Sequence, residues 1–272
     1  MNTSFSYNPV TALAEADANG RTAEIFSDIR KTMGIPLLTS IWRGLASTSH
    51  LEDAWKAVKP IYESGLPQAF LVEFQQAAAL SMNRIDKIPF TISTNDANSI
   101  HDILSVYNRS NTLNFIALSL FCDLNNKPRT LDVRCDNRLD KVTLRPLLSR
   151  EQISDGIWAL VRKVNAIGIN EETDRVATLW RHLSYWPDLL NWLIAEFSTV
   201  GVDGGVNSKI KSTIELAQSL SAHIKSELNF NLPVPKEIYE TITSYVTSPQ
   251  QVARMVVMGN SIKSLLVEAE DV

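Results

Sequence analysis

Apolar residues recur along this chain at three- and four-residue spacings, and almost nowhere at the spacing of two that marks a half-buried strand. The first such run covers residues 22–33, where Ile25, Phe26, Ile29 and Met33 share one face and Gly34 is placed to stop the helix in a left-handed conformation. Pro36 suits the opening turn of the next helix, whose stripe is Leu37, Leu38, Ile41, Trp42 and Leu45. Helices over 51–62, bent near Pro60, and 68–82 follow. Helices over 100–106 and 113–124 come next, joined by Tyr107-Asn108-Arg109-Ser110-Asn111, whose polarity predicts a break with good capping residues. In the second half the same period predicts helices over 153–164, 175–184, 189–199, 209–224, 236–247 and 249–267. The last is expected to open on a capping box at Ser248 and Gln251. Only 89–92, 131–133 and 142–144 have strand-like composition. The predicted class is all-α.

The pattern also repeats. Ile41-Trp42-Arg43 is followed by Trp55, and Leu179-Trp180-Arg181 by Trp192, intervals of 13 and 12 residues. Ile157, Trp158, Val161 and Val164 mirror Ile25, Phe26, Ile29 and Thr32, and the offset between the copies is 132 at Ile25/Ile157, 134 at Gly34/Gly168 and 138 at Trp42/Trp180. The Ser248 helix start is set opposite Asn111. A duplicated unit is the reading, with residues 1–125 as the first helical repeat, 126–146 as a polar linker and 147–272 as the second repeat, packed as a pseudo-dimer.

Composition narrows the function classes. Hydrophobic residues are 44% and charged residues 21% of 272, ordinary for a globular chain, and a net charge of −4 without a Lys/Arg cluster argues against nucleic acid. No apolar run reaches the roughly 18 residues of a membrane helix, and the start lacks a signal-peptide pattern, which places the chain in the cytoplasm without a membrane partner. Cys122 and Cys135 fit no metal or redox spacing, and His50, His101, His182 and His223 form no ligand motif, so no metal is expected. There is no GxGxxG, P-loop or GxSxG sequence. The tryptophans read as core, and Arg43 and Arg181 either tie helices together through a carboxylate or present a fork to an acidic ligand. Glu171, Glu172 and Asp174 precede Trp180 and offer a base or a solvated helix opening.

The run from Gly34-Ile35-Pro36 to Trp55, its second copy ending Ser184-Tyr185-Trp186-Pro187, and Tyr107–Asn111 together resemble the group I 2-haloacid dehalogenase family, over about residues 12 to 267. The resemblance implies two helical repeats embracing an active site, action on small 2-halo acids, and an aspartate that activates a water to displace halide at the α-carbon, without metal or organic cofactor. Counted back without gaps from Trp186-Pro187, the family's aspartate falls on Leu179, which accepts no proton. General-base help contributes about 10²–10⁴-fold, so the water-attack route loses most of its drive at that position. The family's first-copy pocket residues fall on Leu37 and Ser40, its polar residue before the base on Thr178, and its water-steadying asparagine on Asn108 or Asn111. Together with Ile41 and Leu179 these form the expected small-acid pocket between the repeats, and Asp174 is the acid expected to replace the lost base.

Three functions follow: a 2-haloacid dehalogenase-like hydrolase; an enzyme that lets the substrate's own nucleophile displace the leaving group and close a ring; or a catalytically silent protein binding a small molecule. A homodimer is compatible with each.

Overall fold

A computed structural model of the chain describes residues 13–82, 89–122, 127–134, 138–169, 175–200, 205–228 and 233–270. Among these there are twelve α-helices and no strand, so 89–92, 131–133 and 142–144 are irregular instead of extended pairs. The first half holds α1 (Gly20–Met33), α2 (Ser40–Ser47), α3 (Leu51–Glu63), α4 (Leu66–Ala69), α5 (Leu71–Ala78) and α6 (Thr94–Leu118). The second holds α7 (Asp155–Ala166), α8 (Thr178–His182), α9 (Pro187–Thr199), α10 (Val206–Leu228), α11 (Lys236–Thr247) and α12 (Val252–Glu270).

The amphipathic helices formed where the period placed them. α1 buries Ile25, Phe26, Ile29 and Met33 and ends on Gly34 at φ 64°, a conformation glycine adopts without Cβ strain. Pro36 does not open α2, because the chain first runs through an irregular segment and the helix begins at Ser40. α3 passes through Pro60 without ending. The expected 68–82 helix is two, α4 and α5, separated at Phe70.

The main correction concerns Tyr107–Asn111. It is no break but the middle of α6, a single 25-residue helix in which every residue from Ile103 to Leu118 is buried. A helix enclosed on all sides has no solvent face to mark with polar residues, so its polar positions serve partners on other helices and the 3.6-residue signal fades. α6 packs most extensively against α12, antiparallel: Ser105 faces Lys263 at 3.0 Å, and Asn108 occupies the space beside Gly259. α5 and α10 each lie against both central helices, while α3 covers α1 and α9 covers α7. α12 starts at Val252; the Ser248 hydroxyl accepts from the Gln250 amide and the Gln251 side chain donates to the Ser244 carbonyl, so the expected capping box is not the one formed, and one closes instead between Ser149 and Gln152.

One contact occurs in each half. Arg109 on α6 donates from Nε to the Met33 and Gly34 carbonyls at 3.0 and 3.1 Å, and Arg254 on α12 donates to the Asn165 and Ile167 carbonyls at 2.7 and 3.4 Å. Each arginine thus satisfies carbonyls at the C-terminal end of α1 or α7, next to a left-handed glycine, Gly34 or Gly168 at φ 73°.

Candidate active site

The two tryptophan-arginine elements, α2 and α8, approach the central helices from opposite halves. On α2, Trp42 is fully buried and its indole Nε1–H donates to Asn114 Oδ1 at 3.0 Å. The same oxygen accepts from Tyr62 Oη at 2.8 Å, and Asn114 Nδ2 donates to Thr39 Oγ1 and to the Ser110 carbonyl. Thr39 in turn donates to Tyr245 of α11, which burial otherwise pushes well above the usual phenol range. All four tryptophan rings expected in the core alongside it (Trp55, Trp180, Trp186 and Trp192) are buried.

On α8 the polar groups converge on Tyr107. Thr178, at the first turn, donates to the Tyr107 hydroxyl oxygen. His182, one turn later, lies with Nδ1 3.3 Å from that hydroxyl and Nε2 2.6 Å from the Arg145 carbonyl. A carbonyl only accepts, so Nε2 carries the imidazole proton and Nδ1 is the acceptor for the Tyr107 O–H. The order of donation is therefore Thr178 to Tyr107 to His182 to the Arg145 carbonyl. Desolvation lowers the His182 pKa and raises that of Tyr107 to about 12. A weakened base facing a weakened acid keeps the proton on the phenol, and the relay is neutral at pH 7. Within it, the positive charges of Arg43 and Arg181 both act on Tyr107, pulling its pKa down against the larger effect of burial.

Leu179, where the sequence reading set the family's base, is 1% exposed. No aspartate or glutamate is found among the buried described residues. Asp174, Glu171 and Glu172 lie outside the described residues. Asn108 is 1% exposed with neither amide atom hydrogen-bonded, and Asn111 is buried near the centre of α6. Leu37 is half-buried against the core. Ser40 and Ile41 line a separate open cleft of about 490 Å³ between α2 and α11, whose walls include Gly44, Arg175, Ser244 and Tyr245. Thr178 is thus joined to two residues the sequence reading did not choose, Tyr107 and His182. The signal for His182 was its spacing of four from Thr178, which puts both on one face of a helix. For Tyr107 there was none, because a polar run reads as loop. Neither arginine of the repeated motif is seen in an ion pair with a described carboxylate; Arg181 donates from Nε and Nη2 to the Leu148 carbonyl.

Among the described residues no three His, Cys, Asp or Glu side chains cluster as metal ligands, and no helix is long and apolar enough to cross a membrane.

Against solved structures, a D-2-haloacid dehalogenase mutant in complex with D-2-CPA superposes with a TM-score of 0.68 over 94% of this chain and 95% of that one, at 12% identity. A D-2-haloacid dehalogenase complex with L-LA gives a TM-score of 0.67 over the same shares. The fold is that of these D-2-haloacid dehalogenase structures. In sequence, an (R)-2-haloacid dehalogenase of Pseudomonas putida is 26% identical over 111 residues, 37% of this chain and 37% of the length of that enzyme. No family model matches the chain. The resemblance read from Gly34–Trp55, Ser184–Pro187 and Tyr107–Asn111 is borne out by both comparisons, and so is the all-α class.

Proposed function

We propose that the protein is a cytoplasmic, 2-haloacid dehalogenase-like protein whose two helical repeats, 1–125 and 147–272, pack as a pseudo-dimer and hold a small organic acid between them. The observation that carries this reading is the meeting of α8 with the middle of α6, where Thr178 and His182 from the second half engage Tyr107 from the first. The paired clamps of Arg109 and Arg254 support the repeat. The pocket is taken to be walled by Leu37, Asn108, Asn111, Thr178 and Leu179, while Ser40 and Ile41, also expected there, line the cleft between α2 and α11.

The chemistry differs from that of a hydrolase with its base at the second tryptophan element. Leu179 cannot take a proton from water, and His182 Nδ1 is occupied by the Tyr107 hydroxyl. Asp174, four residues before Thr178, is the acid assigned to that task if water is the nucleophile. The lack of a buried carboxylate among the described residues favours a second reading, in which the substrate's own amine or carbanion displaces the leaving group and no solvent oxygen enters the product.

Halide release from 2-chloropropionate in H₂¹⁸O tests both. The wild type is expected to bind 2-chloropropionate and release chloride slowly or not at all, with Asp174→Asn abolishing whatever hydrolysis is seen. Leu179→Asp is expected to raise hydrolytic release by about 10²–10⁴-fold, the usual worth of a placed base. A folded Leu179→Asp that neither hydrolyses nor binds 2-chloropropionate, alongside a wild type that does not bind it, overturns the small-acid reading.

A further inference from the structure

Four arginines are buried in this protein: Arg43, Arg109, Arg181 and Arg254. A guanidinium keeps its charge at any ordinary pH, and an uncompensated one inside a protein is strongly unfavourable. Three of the four are answered by carbonyls: Arg109 by Met33 and Gly34, Arg181 by Leu148, Arg254 by Asn165 and Ile167. Arg43 is not. It is 6% exposed, its Nε is buried without a hydrogen-bond partner, and its guanidinium donates to none of the described residues and pairs with none of their carboxylates.

The surroundings sharpen the point. The Arg43 charge reaches the Tyr107 phenol, as does that of Arg181, so both repeated tryptophan-arginine elements direct positive potential at the same hydroxyl. No buried aspartate or glutamate among the described residues pairs with it; the partly exposed Glu15, bound to Arg30, acts on the same hydroxyl with the opposite sign. Nearby on α8, the Trp180 indole Nε1 is a further buried donor without a partner. Unused donors and uncompensated positive charge at the junction of α2, α6 and α8 describe a place prepared for a small anion with paired acceptor oxygens, which a guanidinium grips through two parallel bonds.

We propose that Arg43 is the anion anchor of this protein, holding the carboxylate of its small-acid ligand beside Tyr107. The inference deepens the small-acid reading above and rests on it for the identity of the ligand. It makes the substrate class a monocarboxylate instead of its amide or ester, because only a full negative charge balances the buried guanidinium. Arg181, committed to Leu148, is a supporting charge.

Calorimetric titration of wild type, Arg43→Met and Arg43→Lys with 2-chloropropionate, 2-chloropropionamide, formate and inorganic phosphate tests it, with urea unfolding of each variant alongside. Wild type is expected to bind 2-chloropropionate and not the amide. Arg43→Met is expected to weaken the acid by about 30-fold or more, Arg43→Lys by less, and unliganded Arg43→Met to unfold at the same or higher urea concentration than wild type, since methionine fills the volume without the charge. Equal binding of the acid by wild type and Arg43→Met overturns the anchor and leaves the small-acid reading standing. If 2-chloropropionate does not bind but formate or phosphate does so in an Arg43-dependent way, the anchor stands and the small-acid reading falls. An Arg43→Met protein that unfolds at markedly lower urea, or a wild type that binds no anion, overturns the anchor.

Discussion

Trp42 and Trp180 are both fully buried one residue before an arginine, one in each half of the chain, yet their indole N–H groups meet different fates. Trp42 donates to Asn114, which is also bonded to Tyr62, Thr39 and the Ser110 carbonyl. Trp180 donates to nothing. The central helices show why. Asn114 stands five residues after Arg109 on α6; five residues after Arg254 on α12 stands Gly259, with no side chain to accept a bond. The room left by that glycine is taken by Asn108, whose Oδ1 would lie 2.1 Å from an added Cβ and whose amide is itself unpaired. One half therefore has a satisfied polar hub that fixes its tryptophan element, while the other has spare donors. Buried polar groups without partners cost stability, and they fall in both halves, Arg43 and Asn108 in the first and Trp180 in the second.

The largest effect should come from removing the hub. Asn114→Ala strips partners from Trp42, Tyr62 and Thr39 at once, and with about 1–3 kcal/mol for each buried group left unsatisfied, urea unfolding should show a loss of roughly 3–5 kcal/mol. A loss below about 1 kcal/mol would mean the hub is decorative. Gly259→Ala forces Asn108 aside and should cost about 1–3 kcal/mol, as overpacking does; adding Asn108→Ala should recover most of it, a coupling that a double-mutant cycle measures directly.

Replacing each tryptophan by phenylalanine sharpens the contrast. Both changes lose a similar apolar area, so the excess cost of Trp42→Phe over Trp180→Phe, expected near 1 kcal/mol, isolates the hydrogen bond present in one half only. Equal costs would show that the two environments are energetically alike.

The smallest effect is with pH. The folded pKa of His182 lies below its ordinary value of about 6.5 because burial disfavours the charged imidazole. Between those two values the unfolded chain binds more protons than the folded one, so this group's contribution is fully present above the unfolded value and is lost as pH falls through it towards the folded one. The unfolding free energy should decline from pH 7.5 to pH 5.5, and His182→Gln should flatten that decline. A His182→Gln protein with the same slope would assign the titration elsewhere.

Much of the architecture was legible from spacing. The Ile25–Met33 stripe and the stop at Gly34 name a helix because it has one wet and one dry face, while the two tryptophan-arginine elements name theirs by apolar spacing alone, α8 being buried at four of its five residues. The centre was not legible for the converse reason. Tyr107, Asn108, Arg109 and Asn114 are polar but dry, and whether such a residue lies in a loop or in an enclosed helix depends on whether Met33, Trp42 or His182 arrives beside it, from 72 to 76 positions away in sequence, farther than any local window covers. The same distance hid the relay: Thr178 was singled out, while its partner Tyr107 had to be brought to it by the packing of α8 on α6.

The arginine clamps carry a last implication. Arg109 reaches back to Met33 and Gly34, and Arg254 to Asn165 and Ile167, so each latch is closed by residues of its own half and neither borrows a group from across the middle of the chain. A polypeptide fastened this way could be severed between the halves and still yield two fragments that each know how to fasten themselves, leaving the α6–α12 seam and the packing of α5 and α10 on it to be found by diffusion.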